Sequence, residues 1–180
     1  FEAVKQVAVA DRLLLTKTDL APADSVAALR ERLATLNPAA DIVTVTHGEL
    51  DPAVIQNLGL WNAETRSLEV TRWLKPQRYH PASAGKLGGK PQTALHDARI
   101  QAFSVVLDAP LDRYGLQSAL SMLTSFRAEN LLRFKAIVNL RDEPQPTVLH
   151  GVQHVLYPEV KLDAWPDDDH RSRFVFIVRD

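Results

Sequence analysis

Four residues near the start of the chain, Thr16, Lys17, Thr18 and Asp19, have the types and spacing to read a guanine base. Guanine presents a ring N–H beside an exocyclic amine. A carboxylate such as Asp19 can accept from both, a bidentate and charge-assisted contact. The aliphatic stem of Lys17 can lie over the base while its ammonium stays in water. Thr16 can brace the loop. The apolar run Leu13-Leu14-Leu15 leads straight into these residues, as a buried strand would. A polar turn after a strand also satisfies Thr-Lys-x-Asp, so the neighbouring elements must decide between the two readings.

Other groups invite chemistry and mostly decline it. There are six histidines. His150 and His154 would chelate one ion if they lay on a helix, but flanking Val148, Val152 and Val155 predict a strand. Four strand residues span about 13 Å, too far for a shared ligand. His80 and His96 bracket a basic stretch and are the weak candidates for a metal pair, yet two ligands do not complete a site. Asp167-Asp168-Asp169-His170 has the composition of a cation loop and equally that of a solvated turn. Gly85-Lys86-Leu87-Gly88-Gly89-Lys90-Pro91 imitates a phosphate loop. Its spacing is one residue short, and Pro91 stands where Ser or Thr would meet Mg²⁺. No metal site is assigned.

The elements that must position the base-reading residues follow from periodicity. A helix is expected to end at about residue 8, with Phe1, Val4, Val7 and Ala8 at helical spacing, followed by a strand over 12–16. Val26, Leu29, Leu33 and Leu36 form one helix face after Pro22, with a start at Asp24-Ser25. Asn37-Pro38 closes that helix. Ile42 to Thr46 is a β-branched strand, followed by His47-Gly48. A short helix is expected from Asp51-Pro52 to Leu58. Alternating strands and helices predict a parallel α/β unit over 1–60, too short to be complete. Residues 61–97 carry Arg72, Lys75, Arg78, Lys86 and Lys90, with no acid between Glu69 and Asp97, and read as a basic flexible linker. Residues 98–180 predict strand 102–107, helix 111–126, and strands 134–140, 147–157 and 174–178. That is an α+β unit of order β-α-β-β-β.

The chain has 180 residues, 46% hydrophobic and 24% charged, with a formal net charge of −1. This suits one or two small cores and gives no global field for nucleic acid. The basic stretch has no stacking aromatics interleaved, which also argues against nucleic acid. No apolar run reaches a transmembrane length, and no signal peptide is evident. Cysteine is absent, which fits a reducing, cytoplasmic setting.

Ala10-Asp11-Arg12 through Asp19, then Val45-Thr46-His47-Gly48, resemble the closing part of the GTPase domain in CobW-type proteins. Leu132-Arg133-Phe134-Lys135-Ala136, His150-Gly151-Val152-Gln153, Trp165-Pro166 and Arg171 to Ile177 resemble the CobW C-terminal domain, with Ala136 where the family tends to have Gly. The resemblance covers the chain except its linker. It implies a GTP-regulated carrier of zinc or cobalt that serves a client metalloprotein. It assigns Thr16, Lys17 and Asp19 to guanine binding. His47 falls where GTPases place a second base-contacting loop, or is simply a turn residue before Gly48. The family's phosphate loop, Mg²⁺-binding acid and Cys-x-Cys-Cys motif lie upstream of the guanine loop and are not in this sequence. The family's closing helix after the last strand is also not found. GTP and Mg²⁺ are therefore expected in the complete parent, with the N-terminal part of the GTPase domain as a partner. This stretch alone is expected not to hydrolyse GTP. Self-association through the last strand is a further expectation. The alternative is a stand-alone protein-interaction module with a vestigial nucleotide region.

Overall fold

The computed structural model describes residues 2–56, Val70, the backbone of His80–Pro81, and residues 100–126 and 129–179. The first unit contains α1 (Glu2–Val9), β1 (Arg12–Thr16), α2 (Ala23–Leu36), β2 (Asp41–Val45) and α3 (Ala53–Gln56). β1 and β2 pair in parallel, from Arg12 opposite Asp41 to Thr16 opposite Val45. α2 starts one residue before Asp24, because Pro22 takes the cap position and its carbonyl accepts from Val26 N at 3.1 Å. It ends at Leu36, and Asn37, preceding Pro38, turns to φ −140°. Thr46 leaves the expected strand because its carbonyl accepts from Glu49 N at 3.0 Å and closes a tight turn.

The second unit is a larger sheet of β3 (His80–Pro81), β4 (Ile100–Leu107), β5 (Leu131–Val138), β6 (Thr147–Val152), β7 (Val155–Leu156), β8 (Val160–Lys161) and β9 (Ser172–Arg179). The order is β3-β4-β9-β5-β6-β7, with β8 also on β6. One long helix, α4 (Arg113–Phe126), covers one face. Its Leu116, Leu120 and Leu123 pack on Phe134, Ala136, Val138 and Phe174. β5 starts earlier than periodicity suggests because Leu131 and Leu132 are both buried, with a register shift between Leu131 and Arg133. It stops at Val138 because the Asn139 carbonyl instead accepts from Leu111 N at 2.8 Å.

Three expectations change. The 147–157 segment is a hairpin, not one strand, since Gln153 adopts φ 54° and reverses the chain between β6 and β7. β9 lies between β4 and β5, so both its edges are paired and neither is free for a second copy. Within the expected linker, Val70 is fully buried among Ile137, Val148 and Val175, and His80–Pro81 adds a strand to β4. The rest of that segment, including His96 and the glycine-rich 85–91 stretch, lies outside the described residues, as do the side chains of His80 and Pro81.

The two units share a core. The sheet face away from α4 packs Leu132 and Ile177 on Ala8 of α1, and Ile137 and Val175 against Ala39. Both faces of β5 are covered, which explains its almost uninterrupted burial.

Candidate functional site

The parallel pairing of β1 with β2 puts Thr16 level with Val45, so the chain leaves both strands on the same side. The Thr16–Asp19 and Thr46–Glu49 loops are therefore neighbours at the carboxyl ends of adjacent parallel strands. In open α/β sheets that rim is where ligands bind. Thr16, Lys17, Asp19 and His47, the residues whose types suit base reading, lie on these two loops, and the topology gathers them.

Each loop holds a non-glycine residue in the left-handed region: Lys17 at φ 57° and His47 at φ 53°. Such a backbone costs energy for a residue with a Cβ; it turns the chain tightly and fixes the direction in which each side chain leaves its loop. Lys17 is followed by a 3-10 turn, Thr18–Leu20, with Leu20 N donating to Lys17 O at 3.1 Å. That turn places Asp19 on the rim. Thr16, Lys17, Asp19 and His47 are all exposed, so their polar groups are available to a ligand. Gly48, at φ 78°, completes the second loop.

The remaining candidates take structural roles. Asp167 is held in a fork by Arg173, at 2.7 and 2.8 Å. Asp169 is held likewise by Arg171, both bonds 2.9 Å. The Arg171 hydrogen bonds, with Arg173 nearby, outweigh burial and hold the Asp169 carboxyl down at about 2. The acidic turn is thus neutralised by arginine. His170 stacks on Trp165 with centroids 4.9 Å apart. His150 stacks on Tyr157 at 4.4 Å, while His154 sits in the hairpin turn. Among the described residues no group of three His, Asp or Glu could hold a metal ion. A hollow of about 500 Å³ beside α4 is lined by Leu107, Leu116, Leu120, Phe174 and Phe176, and its Asp112 carboxylate already accepts from Gly115 N at 2.7 Å. It offers apolar surface and no reactive pair.

Residues 100–180 match the family described as the cobalamin synthesis protein cobW C-terminal domain. Residues 2–44 match the CobW/HypB/UreG nucleotide-binding domain. The chain belongs to the CobW-type P-loop GTPase family. A relative, the zinc chaperone YjiA of Escherichia coli (strain K12), is 33% identical over 175 residues, 97% of this chain and 49% of that protein. Two solved structures are similar. One is a Zn(II)-bound triple mutant of the YjiA GTPase (TM-score 0.64, 30% identity, 99% of this chain, 50% of that one). The other is Zn(II)-bound YjiA GTPase from E. coli (0.65, 29%, 99% and 50%). The CobW-type chain described here spans about half the length of these relatives.

The CobW-type match at residues 2–44 takes in Thr16, Lys17 and Asp19 but stops short of His47. Behind the loops the structure reveals supports to which sequence reading gave no role. Asn37, fully buried, donates to the carbonyls of Val7 (2.8 Å), Ala8 (3.3 Å) and Ala10 (2.8 Å) and accepts from Ala40 N at 3.2 Å. It fastens the end of α1 to the end of α2, fixing where β1 begins. Arg12 donates to the Val54 carbonyl and pairs with Asp41 at 3.7 Å, so β1 is also tied to β2 and to α3. Asp11 accepts from both Arg133 and Lys135 of β5. The available signal was Arg133 and Lys135 themselves, two cations within an apolar strand, which require a partner when buried.

Proposed function

We propose that this chain supplies the base-reading rim and the C-terminal domain of a GTP-binding metal chaperone, with zinc as its cargo. One observation carries the reading. The Thr16–Asp19 loop and the His47 loop lie side by side at the carboxyl ends of paired parallel strands, with Lys17 and His47 both in left-handed geometry. In this reading Asp19 accepts from the guanine edge, Lys17 covers the base, Thr16 braces the loop and His47 approaches from the second strand. The zinc chaperone relative and the Zn(II)-bound structures support zinc as the cargo.

Phosphate chemistry is assigned to the N-terminal part of the GTPase domain, the expected partner of this unit. Two strands rarely stand alone as a parallel sheet. Leu14 (43%), Leu20 (77%), Leu29 (43%) and Ile55 (49%) remain exposed on the first unit, apolar surface suited to such a partner. A client metalloprotein is the recipient of the metal, and the cytoplasm is the compartment. Among the described residues no helix is long and apolar enough to cross a membrane.

The test is base choice in the full-length protein. Asp19→Asn replaces an acceptor pair with one acceptor and one donor. Guanine then faces a mismatched N–H, whereas xanthine, with a carbonyl in place of the amine, is matched. GTP binding should weaken by on the order of 100-fold, since two hydrogen bonds to a charged group are disrupted, while xanthosine triphosphate binding improves. Unchanged GTP affinity in a nucleotide titration would remove Asp19 from the site.

A further inference from the structure

We propose that Asp11 is an electrostatic latch that holds the C-terminal sheet shut against the unit carrying the base-reading loops. The motif Ala10-Asp11-Arg12 is used at both charged positions, in different directions. Arg12 ties β1 to Val54 and Asp41 inside its own unit. Asp11 reaches across to β5, where the Arg133 guanidinium and the Lys135 ammonium (2.9 Å) both donate to its Oδ1. Arg133 also donates to the Val9 carbonyl at the end of α1. Its side chain is only 8% exposed, against 40% for Asp11. One half-exposed carboxylate thus neutralises two mostly buried cations.

The seam around this cluster is thin. α1 gives it a single fully buried side chain, Ala8, against Leu132 and Ile177. Ala39 adds a partly buried contact to the second cluster. Alanine side chains bury little area, so apolar contact from these elements holds the units together weakly. The specific, directional part of the seam is the charge cluster. Each unit keeps its own hydrogen-bonded framework on either side: β1–β2 in one, β4-β9-β5-β6 in the other. Removing the carboxylate leaves both frameworks intact and the buried Arg133 guanidinium without this counter-charge, a state that water entering an opened seam relieves. Asp11 sits at the opposite end of β1 from Thr16, so the latch and the loop share one rigid strand.

These 180 residues hold no cysteine, so a thiol introduced here, followed at its own peptide, reports opening at a chosen place. A8C places it in the seam, and A136C places it in the α4-side core, both positions being fully buried. In the full chain, Asp11→Asn should speed labelling of the A8C thiol by about tenfold or more, the consequence of losing a charge-assisted hydrogen bond. It should leave the A136C thiol protected. Arg133→Met should act in the same way, and the D11N/R133M pair should open the seam by less than the two single effects combined, because the Asp11–Arg133 contact is shared by both variants. An unchanged A8C rate in D11N overturns the proposal. So does parallel acceleration at both thiols, which would mark ordinary loss of stability. Should D11N fail to fold, Arg133→Met alone carries the test: a faster A8C rate with A136C still protected supports the latch, and an unchanged A8C rate overturns it.

Discussion

Lys17 bears the clearest conflict between folding and binding in the molecule. Its φ of 57° is a conformation that glycine adopts without penalty and lysine does not. The fold would accept glycine here, and the proposed base lid would not, because the aliphatic stem is what covers the ring. Lys17→Gly is therefore expected to leave the nucleotide-free protein as stable or more stable, by up to about 1 kcal/mol. The same change should weaken guanine nucleotide binding about tenfold through loss of the apolar cover. Thermal melts without nucleotide and titrations with it read the two effects separately. A variant that loses stability and keeps its affinity would show that Lys17 serves the turn alone. His47 has the same backbone strain in the neighbouring loop. Gly151 is constrained for the opposite reason, since a Cβ there would lie 2.4 Å from Phe134 Cε1.

At the scale of elements, the position of β1 depends on Asn37. One side-chain amide satisfies carbonyls at the end of α1 and at Ala10, while its oxygen takes the Ala40 N–H. Asn37→Asp is nearly isosteric but carries no donor, so it turns these hydrogen bonds into repulsion. It should destabilise the fold by about 3 kcal/mol or more, and Asn37→Ala by about 2, because unsatisfied buried polar groups are costly. Chemical denaturation measures both, and equal stability of N37D and wild type would refute the role. Sequence alone reveals that a helix ends at Asn37, since Pro38 follows it. It does not reveal that the side chain is shared by two carbonyls of another helix and the Ala10 carbonyl just beyond it, because those partners lie far back in the chain. The same limit explains β6 and β7. Alternating valines make 147–157 read as one strand, and only the left-handed Gln153 breaks it. The loop proposed to read the base stands out in the sequence because its residues are local, four in a row after an apolar strand. Its supports were not, because Asp11 meets β5 across more than a hundred residues.

The two units form one body whose shared seam is polar at one end, and this sets how the whole molecule responds to acid. His150 lies beside that seam on β6, opposite Lys135. Burial, and then the charges of Lys135 and Arg133, disfavour a protonated imidazole and lower its pKa from 6.5 to about 4, with Asp11 giving a partial offset. Its buried Nδ1 has no hydrogen-bond partner among the described residues, which a neutral ring tolerates better than a charged one. The unfolded chain takes up this proton near pH 6.5 and the folded chain only near 4, so stability is full above 6.5 and falls as the pH drops toward 4. The loss at pH 5 should reach up to about 2 kcal/mol. A second loss follows at lower pH. Burial raises the Asp11 pKa, but Lys135 and Arg133 more than offset this and hold it at about 2, as Arg171 and Arg173 hold Asp169. For these carboxylates the folded pKa lies below the unfolded one, so their contribution is present above about pH 4 and disappears as the pH falls through 2. His150→Gln should therefore flatten the fall between pH 7 and pH 5 and leave the fall below pH 4 in place. Urea midpoints at pH 7, 5 and 3 for both proteins decide it. A wild-type midpoint that does not move between pH 7 and 5 would mean that the imidazole is not held neutral at this seam.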